Sequence, residues 1–331
     1  MAAGMWHFLA GLNPKGTSQV SRPFQVLTLA ATVSVLAAAK VWATDAGAAV
    51  PPAGTPRTSQ SARLDEVTVT AKRAELVPKV RNFVNQIAVP ENGGEAGLAR
   101  WDAPPVCPLV SGLPRQDGEF ILERLSEVAR SAGVPIADEH CRPNLYILVT
   151  RQPEDLLRAM EKRNRPFTFG HDPSRPRIET SASVVDEFIK TPRAVRVWYN
   201  PAERTPEGLP LACPENGPCY NLWAQATHVT FNTIWTFLRV FVIVDRNRLL
   251  GVTRGQLADY VAMVSFAKLK TDAGVGDSPT ILKLFNEAPQ GAPSGLTDWD
   301  QSFLKSLYTI EQRSRAQRGE IARAMVREIA H

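Results

Sequence analysis

Thr253-Arg-Gly-Gln-Leu-Ala-Asp-Tyr-Val-Ala-Met-Val-Ser-Phe-Ala267 is the stretch on which the fold depends. Thr253 is followed three residues later by Gln256, the spacing of a capping box at the first turn of a helix. The sequence therefore predicts a helix that begins at Thr253. A loop rich in Gly and Asp comes next, and then the short apolar segment Pro279-Thr-Ile-Leu-Lys-Leu-Phe285.

A second capped helix closes this region of the chain. Its sequence is Leu296-Thr-Asp-Trp-Asp-Gln-Ser-Phe-Leu-Lys-Ser-Leu-Tyr308. Thr297 is a favourable N-cap residue, and the acidic side chains of Asp298 and Asp300 interact favourably with the positive end of the helix dipole. The region thus predicts a helix, an apolar turn and a closing helix, in that order.

This order resembles the C-terminal half of the metzincin zinc proteases, over residues 226–310. Thr280-Ile-Leu282 stands where those proteases have a Ser-Ile-Met turn beneath the metal. The closing segment matches the metzincin pattern in register at Leu296, Thr297, Asp300, Leu304, Leu307 and Tyr308. The resemblance implies an α+β fold with a mixed sheet, packed helices and a metzincin-like (zincin-type) core. The alternative is an unrelated α+β domain with two capped helices.

The residues that would bind zinc are missing from the matching helix. Metzincin catalysis needs two imidazoles four residues apart and a carboxylate base between them. Gln256, Leu257 and Tyr260 stand at those positions, and no pair of histidines anywhere in the chain has that spacing. Asp259 alone does not make a zinc site. We therefore expect no metal or other cofactor and no zinc proteolysis.

A groove for a ligand is expected between this helix and the strands before it, where the proteases hold peptide. Its candidate binding residues are Trp235, Gln256, Asp259 and Tyr260. Aromatic residues crowd the middle of the chain and supply contact area for such a groove, although core packing is the preferred explanation for them. They are Trp198, Tyr199, Tyr220, Trp223 and Trp235.

The N-terminus predicts export. The apolar run Val26–Ala39 is shorter than the about 20 residues that span a bilayer, and small-residue cleavage sites follow it. We expect a signal peptide over 1–43 and a periplasmic protein. The alternative is an inner-membrane anchor formed by 26–43. The exported part as a whole also resembles a group of uncharacterised secreted proteins of Gram-negative bacteria.

A flexible linker is expected over 44–73. Its last part, Leu64–Arg73, alternates as an exposed strand would, and it resembles the segment that follows the signal in many TonB-dependent outer-membrane receptors. The chain cannot build the barrel of such a receptor, so an extended linker is preferred over contact with TonB.

Four cysteines predict two disulfides in an oxidising compartment. We favour Cys213–Cys219, because the turn formers between them bring the two ends together, which leaves Cys107 to pair with Cys141. A zinc site is the rival interpretation, but the chain has no CxxC pair.

The remaining patterns predict a single α+β domain over 74–310 and a C-terminal amphipathic helix over 311–331, which either docks on the body or awaits a partner. Helices are expected at 75–89, 115–132, 154–162 and 184–189, strands at 106–110, 145–149 and 194–199, a loop over 163–181, and a hairpin of strands 226–232 and 236–244. The net charge of +5 is scattered, so nucleic-acid binding is not expected.

These observations favour a non-catalytic periplasmic protein with a binding or structural role, whose partner is a peptide or an envelope component. Two alternatives stay open. One is a hydrolase or peptidase-like enzyme with non-standard active-site residues, and the other is an accessory of TonB-dependent outer-membrane transport.

Overall fold

The structure is a computed structural model that describes residues 58–91, 97–170, 180–212, 227–286 and 291–330, with side chains from Arg73 onwards. The signal peptide expected over 1–43, the alternative anchor at 26–43 and the Cys213–Cys219 pair lie outside these residues. The helices are α1 (Thr58–Ile87), α2 (Arg115–Ala132), α3 (Pro153–Phe169), α4 (Ala182–Lys190), α5 (Arg254–Phe266), α6 (Asp298–Thr309) and α7 (Gln317–Ile329).

Four strands form one mixed sheet, which confirms the α+β fold class. They are β1 (Pro108–Ser111), β2 (Leu145–Thr150), β3 (Val195–Arg204) and β4 (Ile234–Asp245), in the spatial order β1-β2-β4-β3. β1, β2 and β4 run parallel, whereas β3 pairs antiparallel with β4 and forms one edge of the sheet. Helices cover both faces of the sheet. α1, α2, α5, α6 and α7 contribute to the larger core on one face, and α3 and α4 to the smaller core on the other.

Helix α5 lies inside the larger core, and every residue from Gln256 to Phe266 is buried. Its N-terminus has the capping box expected from Thr253 and Gln256. Its C-terminus has no glycine cap and passes directly into extended backbone at Ala267. Because a buried carbonyl without a hydrogen bond is costly, side chains from elsewhere must supply the donors at this end.

Three aromatic side chains supply those donors. The Tyr199 hydroxyl donates to the carbonyl of Val264 (2.8 Å). The indole Nε1 of Trp101 donates to the carbonyl of Ser265 (2.8 Å). The hydroxyl of Tyr308 donates to the next carbonyl, that of Phe266.

The flexible linker expected over 44–73 is wrong for residues 58–73, since α1 begins at Thr58 and runs through them. The alternation that suggested a strand involves only Val67 and Val69. Leu64, Val67 and Ala71 recur at helical spacing, so the segment continues the pattern of the helix that follows it.

Two further expectations are wrong in part. The loop expected over 163–181 is partly helical, because α3 continues to Phe169 after a kink at Asn164. The Asn164 side chain accepts a hydrogen bond from the N–H of Phe167 (3.1 Å), and Pro166 is compatible with the first turn of the helical segment that follows. The expected hairpin is also absent from the described residues: β4 pairs with β2 and β3, and Thr230 instead bridges to Ser314.

The ends of the described chain pack together. The C-terminal amphipathic helix is α7, which contacts both α1 and α6. Cys107 and Cys141 form a disulfide, as expected, and it ties the start of β1 to the loop before β2. Within the described ranges, no helix has the length and apolar character needed to cross a membrane.

Candidate functional site

The four residues singled out from the sequence do not line one groove in the described structure. Gln256 is buried at the start of α5. Its side-chain oxygen accepts from the N–H of Thr253 (3.0 Å), and its amide nitrogen donates to the carbonyl of Pro293 (2.9 Å). Both ends of this amide are therefore used to hold the helix terminus and a neighbouring loop.

Asp259 connects α5 to two other parts of the protein. Its carboxylate accepts hydrogen bonds from the guanidinium of Arg124 on α2 (2.5 Å to Nε) and from the N–H of Leu296 (2.8 Å). The hydrogen bond from Arg124 to Asp259, together with the attraction between their charges, raises the pKa of the Arg124 guanidinium. Asp259 thus fixes the start of the closing segment against α5.

Tyr260 is buried, and its ring meets the edge of Phe285 at a centroid distance of 4.7 Å. Burial raises the pKa of its phenol. Trp235 lies on β4, opposite Glu203 of β3, with its side chain half-buried against the larger core. The structure therefore brings Gln256, Asp259 and Tyr260 together on α5 and places Trp235 on a different element.

The histidines that the structure describes are exposed, whereas the residues aligned from the sequence with the metzincin ligands are buried. His140 and His228 lie at the surface, and Gln256 and Tyr260 lie in the core. In the described ranges there is no group of three His, Cys, Asp or Glu side chains that could hold a metal ion.

A different concave site lies along the outer edge of the sheet. It is a cleft of about 410 Å³ bordered by α4, by the edge strand β3 and by residues 268–272. Val184 and Phe188 form the α4 wall, and Trp198 and Tyr199 lie on β3. A volume of this size is in the range typical of ligand-binding pockets. We call this site the β3-edge cleft.

The backbone of β3 faces this cleft with N–H and C=O groups that have no hydrogen-bond partner among the described residues. The N–H of Asp245 donates to the carbonyl of Ala194 (2.8 Å), so Ala194 and Asp245 form a hydrogen-bonded pair of the β3–β4 ladder. Pairs alternate in an antiparallel ladder, so the N–H and C=O groups of Val195, Val197 and Tyr199 point away from β4. An edge that displays such groups is a template for pairing with another strand.

Aromatic side chains at the floor of the cleft pack into both cores of the protein. Trp198 meets Phe188 of α4 and Phe169 edge-on, at centroid distances of 4.9 and 5.0 Å. On the opposite face, Tyr199 stacks on Phe237 at 5.5 Å. The side chains of Trp198 and Tyr199 therefore line the cleft and also pack in the two cores. For these two residues, the groove and the core-packing interpretations both apply.

Two ion pairs organise the wall formed by 268–272. Arg193 donates to the carboxylate of Asp272 (3.0 Å), and Lys268 donates to both oxygens of Glu91 (2.8 Å each). Burial raises the pKa of Glu91, although its contact with Lys268 acts in the opposite direction.

Arg196 lies beneath the α4 wall. Only 5% of this residue is exposed, and its Nε donates to the carbonyl of Thr191 (2.9 Å). Its Nη1 is buried without a hydrogen-bond partner in the described structure, and burial lowers the pKa of the guanidinium. The cleft thus has a buried cation below one wall and two paired lysine or arginine residues on the other.

The sequence identified the elements of this site but not the site. The alternation of Ala194–Tyr199 predicted a strand, and its aromatics were noted as candidates for a groove. That β3 is an edge strand depends on pairing with β4, more than thirty residues away, and no local pattern reports such pairing.

Comparison with protein-family models, with curated proteins and with solved structures finds no match to this chain.

Proposed function

We propose that this protein is an exported, non-catalytic binding protein of the periplasm, which holds an extended peptide segment of an envelope component in the β3-edge cleft. The observation that carries the proposal is the row of outward-facing backbone groups at Val195, Val197 and Tyr199, along a cleft whose α4 wall is largely apolar. An extended segment added at such an edge gains main-chain hydrogen bonds, while pockets on both faces recognise its side chains.

The absence of catalysis is proposed from the positions aligned with the metzincin metal site. The amide of Gln256 is engaged at both ends, and Tyr260 is packed against Phe285. Neither group is a base, and neither replaces a neutral imidazole as a zinc ligand.

A metzincin-like core, without the zinc motif, is part of the same proposal. Asp300 of the closing helix accepts hydrogen bonds from the Thr280 hydroxyl (2.6 Å) and the Ile281 N–H (2.8 Å). These are the residues that align with the turn beneath the protease metal. The contact supports the alignment, because it links the two aligned segments through matched residues.

Export is supported by the disulfide between Cys107 and Cys141, since disulfides persist in oxidising compartments. The signal peptide over 1–43 remains a prediction, and so does the envelope partner. Membrane association would require the segment 26–43.

Selection from a phage-displayed library of random dodecapeptides tests the proposal. We expect enriched peptides to bind the purified protein, and to lose at least about tenfold in affinity with Val184→Lys, which places a charge on the exposed α4 wall. Val197→Pro should act similarly, because it removes an N–H that points away from β4.

Leu250→Lys is the matched control, since Leu250 is 93% exposed and lies outside the cleft. Tyr260→Phe should also leave binding unchanged, which separates this cleft from a groove on α5. Failure to enrich any peptide, or equal binding by the Val184 and Leu250 variants, would refute the proposal.

A further inference from the structure

The two walls of the β3-edge cleft differ in charge. On the wall formed by 268–272, Lys268 and Arg193 are paired with Glu91 and Asp272, respectively. Lys270 on the same wall is exposed, and its side chain makes no ion pair within the described part of the chain. This wall therefore presents one uncompensated positive charge.

The α4 wall presents one exposed negative charge, the carboxylate of Glu187. The buried guanidinium of Arg196 lies beneath this wall with the opposite charge. The rest of this wall is apolar, with Val184 half-exposed and Phe188 packed on Trp198. An acidic side chain is thus favoured on the Lys270 side and disfavoured beside Glu187.

The geometry of a β-sheet determines which side chains of a bound segment meet each wall. Side chains of Val197 and Tyr199 belong to the face that contains α5, and Trp198 to the face that contains α4. A strand added to this edge continues the same alternation. Residues paired with Val197 and Tyr199 would therefore face 268–272, and the residues between them would face α4.

We propose that the β3-edge cleft selects extended peptides in which acidic and apolar residues alternate, with the acidic side chains facing Lys270 and the apolar ones facing Val184 and Trp198. This inference rests on the proposed peptide binding and adds the chemistry of the partner. The alternation of the bound segment follows from the strand geometry, and its acidity follows from the charge on one wall.

Three synthetic octapeptides with blocked ends test it. They consist of alternating Val and Glu, alternating Val and Lys, and alternating Val and Thr. At low salt, we expect the Val-Glu peptide to bind the full-length protein about tenfold more tightly than the Val-Lys peptide, with the Val-Thr peptide between them. The preference should weaken as ionic strength rises, because salt screens exposed charges.

Lys270→Glu should abolish or invert this preference. Lys162→Glu is the matched control, since it changes the net charge equally at an exposed position outside the cleft. The charge selection is refuted if all three peptides bind equally, or if the Lys162 variant shifts the preference as much as the Lys270 variant. Equal binding leaves peptide capture intact, whereas failure of all three peptides to bind refutes the selection and counts against peptide capture as well.

Discussion

Tyr308 reaches across the core to complete a helix in another part of the chain: its hydroxyl donates a 2.7 Å hydrogen bond to the carbonyl of Phe266, the last residue of α5. The same oxygen accepts a hydrogen bond from the N–H of Trp101 (3.1 Å). Burial raises the pKa of this phenol, so it stays a donor throughout the range in which the protein is handled. The closing helix α6 thereby caps α5.

Tyr308→Phe should destabilise the protein by about 1–2 kcal/mol, because it removes both hydrogen bonds in a buried place. Chemical denaturation measures the free energy of unfolding. Tyr260→Phe is the control, since Tyr260 is also buried and its hydroxyl makes no hydrogen bond within the described residues. If the two variants lose equal stability, the hydrogen bonds of the Tyr308 hydroxyl do not stabilise the protein.

Asp300→Ala should cost about 3–5 kcal/mol. The carboxylate is buried and accepts hydrogen bonds from Thr280, Ile281 and Thr297, so its removal leaves several buried donors unsatisfied. Asp298→Ala on the same turn should cost less than about 1 kcal/mol, because Asp298 is exposed and contributes through the helix dipole. Similar melting temperatures for the two variants would contradict this assignment.

Gly295→Ala should destabilise by about 1–3 kcal/mol. A Cβ atom at this position would clash with the Oδ2 atom of Asp259 and displace it from the N–H of Leu296. Gly255→Ala should instead be neutral or stabilise by up to about 1 kcal/mol, because a Cβ atom there meets nothing and alanine favours the helix. Thermal unfolding should show a lower melting temperature for Gly295→Ala and an equal or higher one for Gly255→Ala.

The disulfide should contribute about 3–4 kcal/mol, since Cys107 and Cys141 are 34 residues apart and the bond restricts the unfolded chain. Replacing both with Ser should lower stability by this amount. Peptide mapping without reduction checks the pairing directly, and should also recover Cys213 linked to Cys219. A peptide that joins Cys107 to Cys213 would contradict both assignments.

Ionisation of Glu91 should lower the free energy of unfolding as the pH rises. Burial raises its folded-state pKa above the ordinary value of 4.5, so the folded protein holds this proton more tightly than the unfolded chain does. The resulting stabilisation is complete below pH 4.5 and is lost as the pH rises through the folded-state pKa. In Glu91→Gln, denaturation curves across this window should lack that component, and an unchanged pH profile would contradict the prediction.

Local patterns in the sequence predicted most elements of this fold. Neighbouring residues predict the capping box of Thr253 and Gln256 and also the helix Arg115–Ala132. Both predictions are confirmed. The errors occurred where the pattern was short or the structure was non-local. Alternation over Leu64–Arg73 was too brief to exclude a helix, and nothing in the sequence of β4 reports that its antiparallel neighbour is β3.

The site was predictable only in its parts. Gln256, Asp259 and Tyr260 were singled out through alignment with a metal-binding helix. In the structure, Gln256 and Asp259 hydrogen-bond to other parts of the protein, and the ring of Tyr260 packs on Phe285. The β3-edge cleft arises from the order of strands in the sheet and from the position of α4 beside it. Both are tertiary properties, which one strand's sequence does not encode.

The packing of α1 against α7 has a consequence for biosynthesis. The first and last helices of the described chain rest on one another, so the larger core stays incomplete until residues 317–329 have been synthesised. Contacts between such distant segments slow folding, because the intervening chain must be ordered before they form. A message that ends before codon 317 would therefore yield a product with an exposed apolar surface, which proteases would remove.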